Sequence, residues 1–247
     1  FTGDAAHLLP IFGVRGANTA FQDSQSLGWQ LAHVVKGLAG EALLANYSAE
    51  RVGAAREIID EAGKSTRFMT PPTRGFQLLR DAVLSLSLQH DFVRPLYHWR
   101  TSRPHAYTHS RLNATGDDDA LFTAGPARGA PPRNVRLGAD DFLLDHLGGG
   151  FDLLVFTPGP ALPADLPPVI DELRARGVAL RVTAIGAAAV AGADQCFADA
   201  DGHCRARYGV PGGGAAYLLR PDQHVCGRWL TLDATRLRAA FAAALPR

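Results

Sequence analysis

Residues 1–18 read Phe1-Thr2-Gly3-Asp4-Ala5-Ala6-His7-Leu8-Leu9-Pro10-Ile11-Phe12-Gly13-Val14-Arg15-Gly16-Ala17-Asn18. The order predicts a strand end, a Gly-Asp turn and a glycine-rich loop that runs into a helix. Gly3 has no Cβ, so a ligand or a second backbone can come close. Asp4 then sets a carboxylate at the mouth of the turn, able to accept hydrogen bonds from hydroxyl groups. Pro10, Gly13 and Gly16 shape the loop, and Asn18 is read as the N-cap of the following helix. The N–H groups and dipole of that helix start favour partial negative charge on a ligand.

Together with residues 19–51, the stretch resembles a known family. Gly3-Asp4-Ala5-Ala6-His7, Pro10, Gly13-Val14-Arg15-Gly16-Ala17-Asn18 and Gln22-Asp23 look like the second FAD-binding motif of class A flavoprotein monooxygenases, the para-hydroxybenzoate and phenol hydroxylase type. Leu27-Gly28-Trp29-Gln30-Leu31-Ala32, Leu43-Leu44, Tyr47 and Glu50-Arg51 continue the pattern. Ile11 departs from it where many members carry a second proline, and Val14-Arg15 lengthens the loop.

The resemblance implies FAD as cofactor and NAD(P)H as its transient reductant. It implies oxygen transfer through a flavin C4a-hydroperoxide to a phenolic ring, with dioxygen as co-substrate. Asp4 would accept a hydrogen bond from the ribityl chain, against the plainer reading of a turn or capping aspartate. Gly16, Ala17 and Asn18 would offer N–H groups to the pyrimidine edge, Pro10 would pack beside the ring, and Arg15 would reach the flavin or a substrate carboxylate. Gly3 and Gly13 complete the cofactor set. His7 is read as structural, because no other metal-ligating residue sits at ligand spacing. No catalytic residue is assigned.

Composition narrows the classes. With 247 residues and a formal net charge of +1, the chain can build sizeable cores and shows no basic tract for nucleic acid. No run of about 18 apolar residues suggests a membrane span. Three cysteines, Cys196, Cys204 and Cys226, match no zinc pattern and suggest a reducing cytoplasm. No Gly-x-Gly-x-x-Gly phosphate cradle is present, and the chain opens inside the motif. A C-terminal portion, with a Rossmann-type N-terminal half outside this sequence, is therefore expected, and the isolated portion is expected to be inactive.

Apolar spacing predicts helices over 19–37, 40–68 and 75–100. Their inner faces are assigned to Leu27, Leu31, Val34, Val35 and Leu38; to Leu43, Leu44, Tyr47, Val52, Ala55, Ile58 and Ile59; and to Phe76, Leu79, Val83 and Leu86. Trp29 and Trp99 are read as core. His90, His98, His105 and His109 are read as surface or structural residues without a paired carboxylate. Residues 113–134 read as a linker, with Asp117-Asp118-Asp119 as a solvated turn.

Residues 135–247 alternate strand and helix: a strand over 151–156, a helix over 166–176, a strand over 179–185, a turn over 197–202 and a short helix through Tyr208. Strands over 215–220 and 224–230 joined at Pro221-Asp222-Gln223, and a helix from Asp233 to about Leu245, complete the series. This order, with Asp199-x-Asp201-Gly202, Arg207-Tyr208-Gly209 and Leu219-Arg220-Pro221-Asp222, resembles the thioredoxin-like C-terminal domain of phenol-hydroxylase-type enzymes. Thr157-Pro158-Gly159-Pro160 occupies the place of the redox cysteines, so no thiol exchange is expected. Pro211 stands where that fold carries a cis-proline.

The fold class expected is α/β (α+β overall): the helical C-terminal part of an FAD-binding domain over 1–112, a linker over 113–134 and a redox-inactive thioredoxin-like domain over 135–247. A homodimer is expected, and a non-catalytic dimerisation or assembly module is the alternative function.

Overall fold

The computed structural model describes residues 1–11, 15–97 and 104–247. Gly13, His98, Trp99 and the end of the third expected helix lie outside the described residues. The chain forms two compact units, one of residues 1–28 and 48–105, the other of 29–47 and 106–247. The boundaries expected from the sequence fall at 112/113 and 134/135 instead.

The first unit begins with a single 3-10 turn, Gly3–Ala5, where a strand end was expected. It takes in the first part of α1 (Gly16–Val35), most of α2 (Ala42–Met69) and all of α3 (Arg74–Ser87). A 3-10 segment, Asp91–Leu96, follows. Helix α2 ends where Pro71 bars helical geometry in the residue before it. Thr73 caps α3, its hydroxyl accepting from the Phe76 N–H.

The expected inner faces need correction. Helix α1 buries Thr19, Asp23, Ser26, Trp29 and Gln30, while Leu31 and Val35 are exposed. Helix α2 buries Asn46, Glu50 and Arg51 beside Leu43, Ala54, Ala55, Ile58 and Ala62, while Val52 and Ile59 are exposed. On α3 only Val83 is buried, and Phe76, Leu79 and Leu86 face outward. On α1 the bonds of Asp23 to Gly3 and Arg51 turn a polar side inward that apolar periodicity does not mark.

The second unit is a five-stranded mixed sheet of order β3-β2-β1-β4-β5. Its strands are β1 (Phe151–Thr157), β2 (Leu180–Gly186), β3 (Gln195–Ala198), β4 (Ala215–Leu219) and β5 (Val225–Trp229). β1, β2 and β3 run parallel; β4 is antiparallel to β1, and β5 to β4. Strand β3 falls partly where a turn was expected.

β1 is apolar apart from the buried Asp152, which accepts from Gly148 N–H at 2.7 Å, and the terminal Thr157, because both faces are covered. Phe151, Leu153 and Val155 join one core with α4 (Leu166–Ala175), α6 (Ala234–Ala244), Trp29 and Leu43. Leu154 and Phe156 join the other, with Cys204 and Tyr208 of the short α5 (His203–Tyr208), Val135 and Leu143. Asp233 caps α6 as expected, accepting from the Arg236 N–H at 2.8 Å. No peptide bond among the described residues is cis, so Pro211 is trans at the place where the resembled fold carries a cis-proline.

Residues 113–134 are irregular but fastened along β5. The Ala114 and Asp118 N–H groups bond the Cys226 and Arg228 carbonyls at 2.6 and 2.9 Å, and Gly129 N–H bonds the Val225 carbonyl at 2.7 Å. The edge strand is thereby covered. The acidic triplet is not a solvated turn. Asp117 pairs with Arg128 at 2.7 Å, Asp118 with Arg236 at 2.9 Å and Asp119 with Arg228 at 2.6 Å.

Candidate functional site

The site is built within the first unit from the Gly3–Ala5 turn and the start of α1. Gly3 takes φ +58°, and a Cβ there would lie 3.2 Å from Ala20 Cβ, so glycine suits both the backbone and the close approach. Its carbonyl accepts from the Ala6 and His7 N–H groups, both at 2.9 Å. Asp4 follows on the exposed side of the turn. Pro10 and Arg15 are partly exposed.

Gly16 opens α1, so Asn18 lies in the helix's first turn and is not its N-cap. Ala17 propagates a helix well, and α1 starts three residues earlier than the cap signal implied. Thr19 N–H bonds the Arg15 carbonyl at 2.9 Å. Among the described residues a Cβ on Gly16 would meet nothing within 4 Å.

The turn is tied to the helix by a residue outside the expected cofactor set. Asp23 Oδ2 accepts from Gly3 N–H at 2.9 Å and from His7 Nε2 at 2.7 Å. Asp23 Oδ1 accepts from Arg51 Nε at 2.6 Å, and Arg51 Nη2 donates to the Thr19 carbonyl at 3.3 Å. Burial alone would raise the Asp23 carboxyl, but the Gly3 N–H, Arg51 and His7 outweigh it and hold it below the usual carboxylate range. Asp23 is therefore an ionised acceptor at neutral pH. The structural role expected for His7 is this bond. Asp23 and Arg51 both belong to the motif stretches that carry the family resemblance, but their pairing across 28 positions had no local signal.

These residues fit the flavin edge that the resemblance assigns to them. Asp4 offers an exposed acceptor for hydroxyl groups, and the start of α1 presents the positive end of the helix dipole. Two buried polar atoms of the same unit, His7 Nδ1 and Thr19 Oγ1, lack hydrogen-bond partners among the described residues. Elsewhere in this unit His105 pairs with Glu57, contrary to the expectation that it has no carboxylate partner.

In the second unit, the position after β1 carries no cysteine, and Gly159 N–H bonds Thr157 Oγ1 at 3.0 Å. Burial pushes the Cys204 and Cys226 thiols up to about 12. Neither is a thiolate at neutral pH. Among the described residues no helix is long and apolar enough to cross a membrane.

A family model described as FAD binding domain matches residues 1–62. A 3-(3-hydroxy-phenyl)propionate/3-hydroxycinnamic acid hydroxylase of Mycolicibacterium smegmatis is 45% identical over 168 residues, covering 64% of this chain and 28% of the relative. A protein of the same name from Mycobacterium sp. (strain JLS) is 35% identical over 72% of this chain and 32% of its own length. Among solved structures, RebC with bound 7-carboxy-K252c is 26% identical with a TM-score of 0.70, covering 99% of this chain and 45% of RebC. The ternary complex of aklavinone-11 hydroxylase with FAD and aklavinone gives 27% and 0.67, covering all of this chain and 43% of the hydroxylase. The chain thus spans about a third of the curated relatives' length. The opening motif and these matches agree: over the part of their length that it spans, the chain is similar to FAD-dependent hydroxylases of the class A flavoprotein monooxygenase type.

Proposed function

We propose that this chain is the C-terminal portion of an FAD-dependent monooxygenase that hydroxylates a phenolic ring with dioxygen and NAD(P)H. The observation that carries the reading is the Gly3-Asp4 turn held against the start of α1 by Asp23. Gly3, Asp4, Pro10, Gly13, Arg15, Gly16, Ala17 and Asn18 would hold the ribityl chain and pyrimidine edge. A flavin held by these residues would supply the redox chemistry between NAD(P)H and dioxygen. The protein's own part is electrostatic. Asp4 would accept from ligand hydroxyls, and the α1 dipole would favour negative charge on a ligand at the helix start.

The remaining assignments belong to the same proposal. Residues 1–112 would close the flavin domain, 113–134 would connect, and 135–247 would be a thioredoxin-like domain without redox chemistry. The parallel β1–β2 pair joined to an antiparallel hairpin supports that likeness. Phe1, Leu8, Ile11 and Phe21, between 72% and 94% exposed, would seat a Rossmann-type N-terminal half. The lack of a phosphate cradle means the chain alone should hold FAD weakly or not at all. A cytoplasmic setting fits three unbridged cysteines.

The test is a chimaera joining the N-terminal part of the M. smegmatis relative to this chain. NAD(P)H-dependent oxygen uptake with a hydroxylated phenolic product supports the reading. A flavin-loaded chimaera that yields no such product across phenolic acids and polyketide aromatics contradicts it. A second reading, a homodimeric assembly module, draws on the exposed Leu78, Leu79, Leu86 and Leu88 of α3 and its C-terminal end. Light scattering that finds only monomer at high concentration rejects it.

A further inference from the structure

Asp23 divides its two oxygens between three segments. Oδ2 takes the Gly3 N–H and His7 Nε2, and Oδ1 takes Arg51 Nε. The Asp23 and Arg51 side chains are only 1% and 4% exposed, so this is a desolvated, charge-assisted set of bonds. Arg51 also reaches the Thr19 carbonyl, one turn before Asp23 on α1. It therefore clamps the helix as well as the carboxylate.

Gly3 has little freedom of its own. It sits at φ +58° and lies against Ala20, so the turn is pressed onto α1 and tied to it one turn later. The exposed Asp4 is the next residue in the same 3-10 turn, and its direction follows from where Gly3 is held. An ionised carboxylate only accepts, so His7 Nε2 carries the proton of the 2.7 Å bond. In the neutral ring Nδ1 is then left as an acceptor, and that atom has no partner among the described residues.

We infer that Asp23 and Arg51 are positioning residues of the flavin-edge turn: the Asp23 carboxylate fixes Gly3, and through it Asp4, while Arg51 fixes Asp23. The geometry stands alone; its consequence for a cofactor rests on the proposed flavin role of Asp4. Asparagine at position 23 keeps an acceptor oxygen but loses the charge that holds Arg51 and His7 together.

The test compares the unaltered chain with Asp23→Asn, Arg51→Met and Arg51→Lys. Amide exchange of Gly3 is read by NMR in this chain, and FAD affinity is read in the chimaera. Asp23→Asn is expected to speed Gly3 exchange and weaken FAD about tenfold, the effect of one lost charge-assisted bond. Amides of Ala54–Ala62 in α2 keep their protection. Arg51→Lys is expected to retain more FAD affinity than Arg51→Met. Unchanged Gly3 exchange in Asp23→Asn overturns the inference, as does faster exchange shared equally by the α2 amides, which marks plain unfolding. An unaltered chimaera that binds no FAD counts against the proposed function, while the Gly3 measurement still decides the positioning claim.

Discussion

Replacing Asp222 with alanine should be among the most damaging single changes in the second unit. Asp222 receives Arg220 in two bonds, Nε to Oδ1 at 3.0 Å and Nη2 to Oδ2 at 2.8 Å, and the Trp29 indole N–H at 3.0 Å. The Arg220 guanidinium also lies 5.3 Å from the centre of the Tyr107 ring and 5.7 Å from that of Trp29. Arg220 is 1% exposed and Asp222 6%, so water cannot take the place of the lost carboxylate. Removing one partner of a buried pair costs about 3–5 kcal/mol. The orphaned indole N–H adds about 1–3 kcal/mol in isolation. The three groups share one network, so the two figures do not add. A loss of about 4 kcal/mol is expected, a large part of the ~5–15 kcal/mol that a domain has in total.

Two units make a two-state treatment unsafe. The assay is therefore native-state hydrogen exchange at the amides of β1 and β4, with urea melts as support. Arg220→Met combined with Asp222→Leu should lie nearer the unaltered protein than Asp222→Ala, since neither charge is then stranded. Acid adds a check. Burial pushes the Asp222 carboxyl up, but Arg220 and His224 outweigh it and drive it far below the usual range. A depressed carboxylate stabilises above its unfolded pKa and loses that contribution as pH falls toward its folded one. The gap between the two proteins should hold constant above about pH 5 and narrow below about pH 4. A loss under about 1 kcal/mol, the scale of a surface ion pair, refutes the reasoning.

Other consequences are simpler to measure. In native protein a thiol reagent at pH 8 should react with Cys196 alone, because burial pushes Cys204 and Cys226 up to about 12; all three should react after unfolding. Three native thiols at once would contradict the burial, and insulin reduction by the chain would contradict redox inertness. Gly129→Ala should destabilise by more than about 1 kcal/mol in thermal or urea unfolding. Gly129 holds φ +82°, and its Cβ would lie 2.4 Å from the Tyr107 carbonyl group. A neutral substitution would mean that residues 113–134 are held less closely than described.

The α/β class was legible because β1 and its neighbours are short apolar runs between turn signals, and Asp233 is a local cap. The helix interiors were read correctly at Leu43, Ala55, Ile58 and Val83 and wrongly at Leu31, Val35, Val52, Ile59, Phe76, Leu79 and Leu86, for a physical reason. Apolar periodicity assumes that hydrophobic side chains mark the inner face, whereas α1 buries Thr19, Asp23 and Ser26, and Asp23 there serves the Gly3 turn. Strand β3 was hidden because Gln195-Cys196-Phe197-Ala198 is brief and runs into Asp199-x-Asp201-Gly202, a strong turn signal. The acidic triplet shows the same limit: its arginine partners Arg228 and Arg236 lie more than a hundred positions away. The site's exposed residues were local and readable. The pair that holds them, Asp23 and Arg51, becomes visible only when two helices come together.

The most direct measurement is FAD binding by the chimaera, followed through flavin absorbance, with and without Asp4→Ala. Stoichiometric FAD is expected in the chimaera, weak or no binding by this chain alone, and about a tenfold loss of affinity in Asp4→Ala. Tight binding that Asp4→Ala leaves unchanged would contradict the claim that the opening turn holds the flavin.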